Sequence, residues 1–151
     1  MKNPIRHYCI LSLGGNIGDT SSIFTAAVKS LESEGFLVEK MSPLFQSSPV
    51  GCEAEARDFL NAALSGYWTK SPQELLELCQ TIEEQNERPK HHAAGQSRTL
   101  DIDIILFGDM RISTANLTIP HPRAAERDFV MVPVAEIDSA AARLLCPDYI
   151  I

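Results

Sequence analysis

The stretch Arg98–Asp109, RTLDIDIILFGD, carries two acidic residues inside an otherwise apolar run. Its isoleucine, leucine and phenylalanine content and its closing Gly-Asp pair predict a β-strand that ends in a turn. Successive side chains of a strand point to opposite faces, so Asp101 and Asp103 share one face, about 6 to 7 Å apart. The other face carries Leu100, Ile102 and Ile104. That face can pack on a core while the two aspartates line a cleft.

Two carboxylates in a partly buried sheet raise the cost of ionising either one, so positive charge is expected nearby. The alternative is an exposed strand with a solvated acidic edge. Two stretches supply positive charge: RPKHHAAGQSR at 88–98, which contains no acid, and HPRAAER at 121–127. Either stretch alone is better explained as a solvated loop. Together, on an acidic chain, they indicate a site for a small polyanion.

The composition is that of one globular domain spanning residues 1–151. The formal net charge of −7 argues against a general nucleic-acid binder, which needs a basic face. No apolar run is long enough to cross a membrane, and the apolar stretch near the start favours a strand over a signal peptide. The four cysteines form no zinc-ligand pattern, so reduced and mostly buried thiols are expected. We therefore expect a cytoplasmic protein.

Turn and capping signals give the order of elements. A strand, HYCILSL, runs into the turn GGNIGD, and a helix capped by Asp19 or Ser21 follows and ends at Gly35. FLVEKMSPLFQSSPVG is predicted as one extended strand that ends in a Pro-Val-Gly turn, and RDFLNAALSGYW is predicted as the next strand. The second helix begins at Ser71, with Pro72 at its first position and Glu74 completing a capping box.

The aspartate strand comes next, followed by a predicted hairpin at FGDMRI and a short C-terminal extension. The order βαββαβ predicts an α+β, ferredoxin-like core in which an antiparallel sheet packs against helices on one face. The first and last strands are predicted to form the central pair of the sheet. This arrangement brings the aspartates close to the other segments that line the cleft.

The aspartate pair, the acid-free loop and the glycine-rich turn together fit phosphoryl-type transfer. Mg²⁺ takes one or two carboxylates plus phosphate oxygens and water, so Asp101 and Asp103 can suffice as its protein ligands. GGNIGDT lacks the lysine of a P-loop and is not G-x-G-x-x-G, which disfavours Walker and Rossmann sites. Glycoside hydrolysis needs acids that flank the scissile bond from two sides, whereas Asp101 and Asp103 lie on one face of a strand, so this activity is disfavoured. No spacing supports a Cys or Ser nucleophile paired with His121.

RTLDIDIILFGD, LGGNIGD, SSPVG, DFLNAAL and IPHPRAAERDFVMVPVAEI occur in an order and spacing that resembles the 6-hydroxymethyl-7,8-dihydropterin pyrophosphokinase family. The resemblance covers about Tyr8 to Asp148. It implies a ferredoxin-like domain that moves the β,γ-pyrophosphate of ATP to the hydroxymethyl oxygen of the pterin and releases AMP. It also implies that Asp101 and Asp103 bind two Mg²⁺ ions that bridge the ATP phosphates.

The resemblance also assigns the remaining site residues. On the nucleotide side it implies Gln80, Glu83, Arg88, Lys90, Arg98, His121 and Arg127, with Arg98 and His121 meeting phosphate. On the pterin side it implies Gly14, Gly15, Asn16, Ser48, Pro49, Val50, Phe59, Asn61 and Phe129. Arg98, Asp101, Asp103 and His121 form the expected catalytic group. Arg88 and Lys90 are expected to begin a loop that closes over the triphosphate.

The chain departs from the family pattern at Ala94–Ser97, AGQS, where many members carry Arg-Trp-Gly-Pro. We therefore predict an active enzyme with altered loop behaviour, working as a monomer or weak homo-oligomer on small-molecule substrates. Two alternatives stay open at this point. One is a non-catalytic ferredoxin-like module that binds a small ligand. The other is a paralogue that binds pterin but has lost efficient transfer.

Overall fold

The computed structural model describes residues 5–47, 58–86 and 99–150. Its main sheet contains the strands β1 (His7–Gly15), β2 (Leu37–Met41), β3 (Phe45–Ser47), β4 (Phe59–Trp68) and β5 (Asp101–Phe107). The helices of the core are α1 (Thr20–Ser33) and α2 (Pro72–Gln85). The strand order is β2-β4-β1-β5, with β3 beside β4, and every pair is antiparallel. The predicted ferredoxin-like α+β core is therefore confirmed.

The predicted central pair of strands is wrong. The first and last strands of the core, β1 and β5, do pair, but β5 lies at the end of the strand order, and the inner strands are β1 and β4. The reason is the crossover through α1, which returns the chain to β2 one strand position away from β1. β4 fills the position left between them, where both of its faces are covered and Asn61–Gly66 are all buried.

The segment predicted as one long strand is broken into β2 and β3. At the break, Ser42 takes over part of the pairing with β4, because its hydroxyl oxygen accepts a hydrogen bond from the N–H of Ala63 at 2.8 Å. The next residue, Pro43, has no N–H to offer a neighbouring strand. One strand was therefore predicted where the structure has two.

The predicted hairpin after the aspartate strand is also wrong. The residues after β5 turn at Gly108, which has φ +54°. They then form β6 (Ile112–Ser113), which pairs with β7 (Thr118–Ile119) in a separate small sheet and not with β5. A residue that follows β7 contacts the outer edge of β5 instead: the N–H of His121 donates to the carbonyl of Ile105 at 3.0 Å.

The predicted helix starts are confirmed. The Asp19 carboxylate caps α1 by accepting the N–H of Ser22 at 3.2 Å, and α2 has the full capping box of Ser71 and Glu74. The predicted stop of the first helix is Gly35, whose φ of +105° suits a residue without a side chain. Local hydrogen bonding thus sets these ends, as the sequence pattern predicts.

The C-terminal extension forms a second layer of helices. After a short 3₁₀ turn (Ala124–Glu126), α3 (Asp128–Ile137) and α4 (Ser139–Leu145) follow. One core cluster joins β1 and β4 to α1 and α2, and a second joins the other sheet face, through Ile10, Ala63 and Ile105, to Val130 and Val134 of α3. The sequence placed helices on one face only, whereas the sheet is apolar on both and the extension covers the second face.

The cysteines of the described residues carry free thiols. Cys9 and Cys79 are buried free thiols, as predicted, and Cys146 is a partly exposed one. Burial raises the pKa of Cys9 to about 12. Cys52 lies outside the described residues.

No helix in the described parts of the chain combines the length and apolar composition needed to cross a membrane.

Asp138 ties the C-terminal helices to the sheet. Its carboxylate accepts from the Tyr8 hydroxyl at 2.8 Å and caps α4 by accepting the N–H of Ala141 at 2.9 Å. We expect Asp138→Ala to lower the free energy of unfolding by about 2 kcal/mol, since it removes one helix cap and one partly buried hydrogen bond. Urea denaturation measures this loss. The exposed Asp148→Ala serves as control, and an equal loss in both variants would contradict the assignment.

Candidate active site

The cross-strand register brings the aspartates into line with residues of the two inner strands. Asp101 lies opposite Gly14 of β1, and Gly14 lies opposite Asn61 of β4. Directly opposed residues of antiparallel strands share a face, so these three form one row across the sheet. Asp103 lies in the next row, opposite Ser12. Both aspartates are partly exposed while Ile102 and Ile104 are buried, which confirms the predicted division of faces.

A β-bulge fixes which core each face of β5 meets. The register of β1 and β5 shifts by one residue, so Ile10 pairs with Leu106 and Leu11 with Ile104. Ile105 is the extra residue, and it joins Leu106 in the second core cluster. The aspartates precede the bulge and lie on the face that α3 covers farther along the sheet.

Glu83 of α2 is a third carboxylate beside the aspartates. Its carboxylate accepts the backbone N–H of Ile102 at 2.7 Å. Burial, together with the negative charges of Asp101 and Asp103, raises the pKa of Glu83 to about 8, although the Ile102 hydrogen bond acts in the opposite direction. Acidic groups are therefore concentrated at this end of β5, close enough to act on one another electrostatically.

His121 is held beside β5 by its backbone and is half-buried. Burial lowers its pKa; the positive charges of Arg127 and Arg123 lower it further, and Asp101 opposes them. The imidazole is therefore neutral at pH 7. Its Nδ1 accepts the N–H of Arg123 at 3.2 Å, so the ring proton is on Nε2, which can donate to an anion.

Asn61 is a buried amide at the other end of the row from Asp101. Its side-chain nitrogen donates to the carbonyl of Phe45 at 3.2 Å and to the hydroxyl of Ser47 at 2.9 Å. A Cβ on Gly14 would lie 3.1 Å from the Asn61 amide oxygen, so this glycine leaves room for that oxygen. The amide is thus oriented by β3, and its oxygen faces the bare backbone of Gly14.

The glycines predicted to form a turn after the first strand belong to the strand itself. Gly14 pairs with both β4 and β5, and Gly15 pairs with Leu60 of β4. These hydrogen-bonded pairings extend β1 through both residues, so the turn begins later. Gly18, with φ +77°, is the residue that adopts a left-handed conformation there. Asn16, directly after the strand, is buried.

Two phenylalanines lie on the face covered by α3. Phe59 is two residues before Asn61 on β4 and therefore shares its face, and Phe129 lies in the first turn of α3. Both are partly buried, and Phe129 packs against the second core cluster. The Arg127 guanidinium carbon lies 5.5 Å from the centre of the Phe129 ring, a cation-π distance.

The structure brings together only part of the predicted set. Asp101, Glu83, His121 and Arg127 interact electrostatically at one end of β5, and Gly14 and Asn61 continue the row across the sheet. Gln80 is exposed on α2. Six predicted residues lie outside the described parts of the chain: Ser48, Pro49, Val50, Arg88, Lys90 and Arg98.

Sequence reasoning missed two hydroxyl groups beside the predicted residues. Ser12 is buried opposite Asp103, and Ser47 fixes the Asn61 amide. A lone serine in the apolar strand HYCILSL was the available signal for Ser12. Ser47 could not be linked to Asn61 from the sequence, because neither segment alone indicates that β3 pairs with β4.

Comparison with known proteins identifies one matching family. Residues 10–139 match the family model of 7,8-dihydro-6-hydroxymethylpterin-pyrophosphokinase. The 2-amino-4-hydroxy-6-hydroxymethyldihydropteridine pyrophosphokinase of Bacillus subtilis is 42% identical over 84% of this chain and 75% of its own. The protein of the same name from Aquifex aeolicus is 38% identical over 85% of this chain and 78% of its own.

Some relatives are much longer than this chain. The mitochondrial folate synthesis bifunctional protein of Arabidopsis thaliana is 38% identical over 89% of the chain, which spans only 24% of that relative. The crystal structure of Plasmodium falciparum HPPK-DHPS with pteroate superposes with a TM-score of 0.69 at 12% identity, over 89% of this chain and 41% of that one, and so supports the fold. From the match of the family model and these identities, the chain belongs to the 7,8-dihydro-6-hydroxymethylpterin-pyrophosphokinase family.

Proposed function

We propose that this chain transfers the β,γ-pyrophosphate of ATP to the hydroxymethyl oxygen of 6-hydroxymethyl-7,8-dihydropterin and releases AMP, a step of folate biosynthesis. The observation that carries the proposal is the row of Asp101, Gly14 and Asn61 across three strands, with His121 held beside its acidic end. The row thus has a carboxylate at one end and an amide at the other, on one sheet face. A triphosphate with its cations suits the acidic end, and a flat heterocycle with polar edge groups suits the amide.

The donor set fits Mg²⁺. Asp101 and Asp103 offer hard carboxylate oxygens on one face, and Mg²⁺ takes its other ligands from phosphate and water. In the described residues, no group of three histidine, cysteine, aspartate or glutamate side chains is arranged to hold a metal ion. A site of two carboxylates therefore suits an ion that arrives with the nucleotide. We propose two Mg²⁺ ions, which when bound neutralise charge on the triphosphate.

The residues of the chain then position the reactants. The Nε2–H of His121 donates to a phosphate oxygen, and Arg127 adds positive charge beside it. Arg98, Arg88 and Lys90 complete the nucleotide side in the family pattern. Gln80 and Glu83 belong to the same side, at the α2 edge of the site.

On the pterin side, Asn61 presents its amide to the edge of the heterocycle, and Phe59 and Phe129 supply aromatic surface for the ring. Gly14, Gly15 and Asn16 allow the ring to approach the end of β1. Ser48, Pro49 and Val50 complete this side in the family pattern.

The chemistry asks mainly for alignment. The hydroxymethyl oxygen forms a bond to the β-phosphorus while the bond from that phosphorus to the α–β bridging oxygen breaks, and AMP leaves with that oxygen. Such transfers depend chiefly on positioning and on stabilising charge in the transition state. The site offers both, because rigid strands carry the aspartates and the asparagine.

An assay of AMP release tests the function. With ATP and Mg²⁺, AMP is expected to form only when the dihydropterin is present. A calorimetric titration adds binding: the dihydropterin should bind in the presence of a nonhydrolysable ATP analogue and Mg²⁺. The proposal is overturned if the dihydropterin does not bind, or if AMP is released equally fast without it. Pterin binding with no AMP release identifies a catalytically impaired paralogue.

A side chain at Gly14 tests the pterin end of the row. We expect Gly14→Ala to raise the KM for the dihydropterin about tenfold, because the new methyl group displaces the Asn61 amide oxygen and weakens one hydrogen bond. Steady-state AMP release at saturating ATP measures this change. Thr25→Ala, on the exposed surface of α1, is the control. An unchanged KM in Gly14→Ala would show that Asn61 does not contact the pterin.

We also propose that the enzyme works in the cytoplasm as a monomer or weak homo-oligomer.

A further inference from the structure

We propose that Glu83 is a positioning residue for the aspartate pair: it accepts the Ile102 N–H and thereby fixes the strand segment that carries Asp101 and Asp103. This inference rests on the proposed function, and it refines the nucleotide-side role of Glu83. The contact that carries it is the hydrogen bond of 2.7 Å between the Ile102 nitrogen and a Glu83 carboxylate oxygen.

The place of β5 in the sheet explains why this acceptor is needed. β5 has β1 on one side and no further strand of the described residues on the other. Backbone N–H groups on that outer side need an acceptor from elsewhere, because a buried N–H without one is costly. Ile102 is buried, and α2 packs along this edge of β5. Glu83 supplies the oxygen that a neighbouring strand would otherwise provide.

The position of Ile102 makes the contact relevant to catalysis. Ile102 lies between the two aspartates, so each of them is one residue from the amide that Glu83 holds. The direction of a side chain in a strand follows the orientation of its backbone. If the amide of Ile102 were released, this segment would be held by β1 alone, and the two carboxylates would be oriented less firmly. Loss of groups that orient metal ligands typically costs about 10- to 100-fold in metal affinity or activity.

Two variants separate the acceptor from the other properties of the carboxyl group. Glu83→Gln and Glu83→Leu have similar volumes and both remove the ionisable carboxyl group, but only the glutamine keeps an oxygen that can accept from Ile102. Glu84→Ala, at an exposed position on the same helix, is the control. The first readout is hydrogen exchange of the Ile102 amide, followed by NMR in metal-free protein. The second is the kcat and the pterin KM of AMP release in the full reaction.

In Glu83→Leu, the Ile102 amide should exchange about tenfold faster or more. Its kcat should fall about 10- to 100-fold with little change in the pterin KM. In Glu83→Gln, both quantities should stay within about fivefold of wild type, because a neutral acceptor is weaker than a carboxylate but still present. Glu84→Ala should match wild type in both readouts.

The inference fails if Glu83→Gln and Glu83→Leu lose activity equally, since the carboxyl group itself, and not an acceptor for the Ile102 N–H, would then matter. It also fails if Glu83→Leu leaves the Ile102 exchange rate unchanged. A wild-type protein without pterin-dependent AMP release would instead overturn the proposed function. The exchange measurement is made without metal or substrate, so these two failures are distinguishable.

Discussion

Asp103→Asn is expected to lower kcat/KM for pterin-dependent AMP release by about 1000-fold or more. The substitution keeps the size and polarity of the side chain but removes one of the two charges that would hold Mg²⁺ against the triphosphate. Loss of a group that stabilises transition-state charge typically costs two to three orders of magnitude, and a direct metal ligand acts on both binding and charge. Because asparagine keeps the size and polarity of aspartate at this partly exposed position, the variant should fold about as stably as wild type.

The control for this prediction is Asp109→Asn. Asp109 is exposed in the turn directly after β5, so its change removes the same charge from the same region without touching the aspartate row. Wild type and both variants are compared by AMP release and by thermal unfolding. Near-normal turnover in Asp103→Asn would remove the basis for the metal site.

Gly66→Ala is expected to lower the free energy of unfolding by about 3 kcal/mol, near the upper end for overpacking a core. Gly66 lies buried in β4, between Cys9 of β1 and Val38 of β2. A Cβ at this position would collide with the Leu37 carbonyl oxygen and the Phe36 ring. Neither can yield easily, because the first is backbone paired with β4 and the second is fully buried.

Gly18→Ala is the matched control for Gly66→Ala. Gly18 has φ +77°, so alanine there is strained by about 1 kcal/mol, yet its Cβ would meet Ile23 at an ordinary distance of 3.5 Å. Urea denaturation of both variants tests whether steric conflict at the inner strand exceeds backbone strain in the turn. Equal losses in the two variants would show that β2 can shift away from β4 without cost.

Most of the core elements could be predicted because their signals are local. Asp19, and Ser71 with Glu74, form hydrogen bonds within three residues along the chain, and such contacts do not depend on the rest of the fold. The alternation of aspartate and isoleucine in β5 is equally local, since the pleat of a strand alone places Asp101 and Asp103 on one face. Each of these predictions is confirmed.

The errors occurred where one segment competes with another for a partner. The sequence around Ser42 is extended, but its division into β2 and β3 depends on how β4 pairs with it. Ile112–Ser113 was predicted to return along β5, yet it pairs with Thr118–Ile119. The extension after Arg127 was left without helices, although it contributes the layer that covers the second face of the sheet.

The sequence by itself determined the βαββαβ order, the helix caps and the shared face of the two aspartates, because these depend on hydrogen bonds and side-chain periodicity within a few residues. Only the tertiary structure decided that β1 and β4 are the inner strands, that Gly14 separates Asp101 from Asn61, and that Glu83 reaches the Ile102 N–H. Those relations join residues 19 to 87 positions apart. Their register is set by which surfaces bury the most apolar area together, and no single segment contains that information.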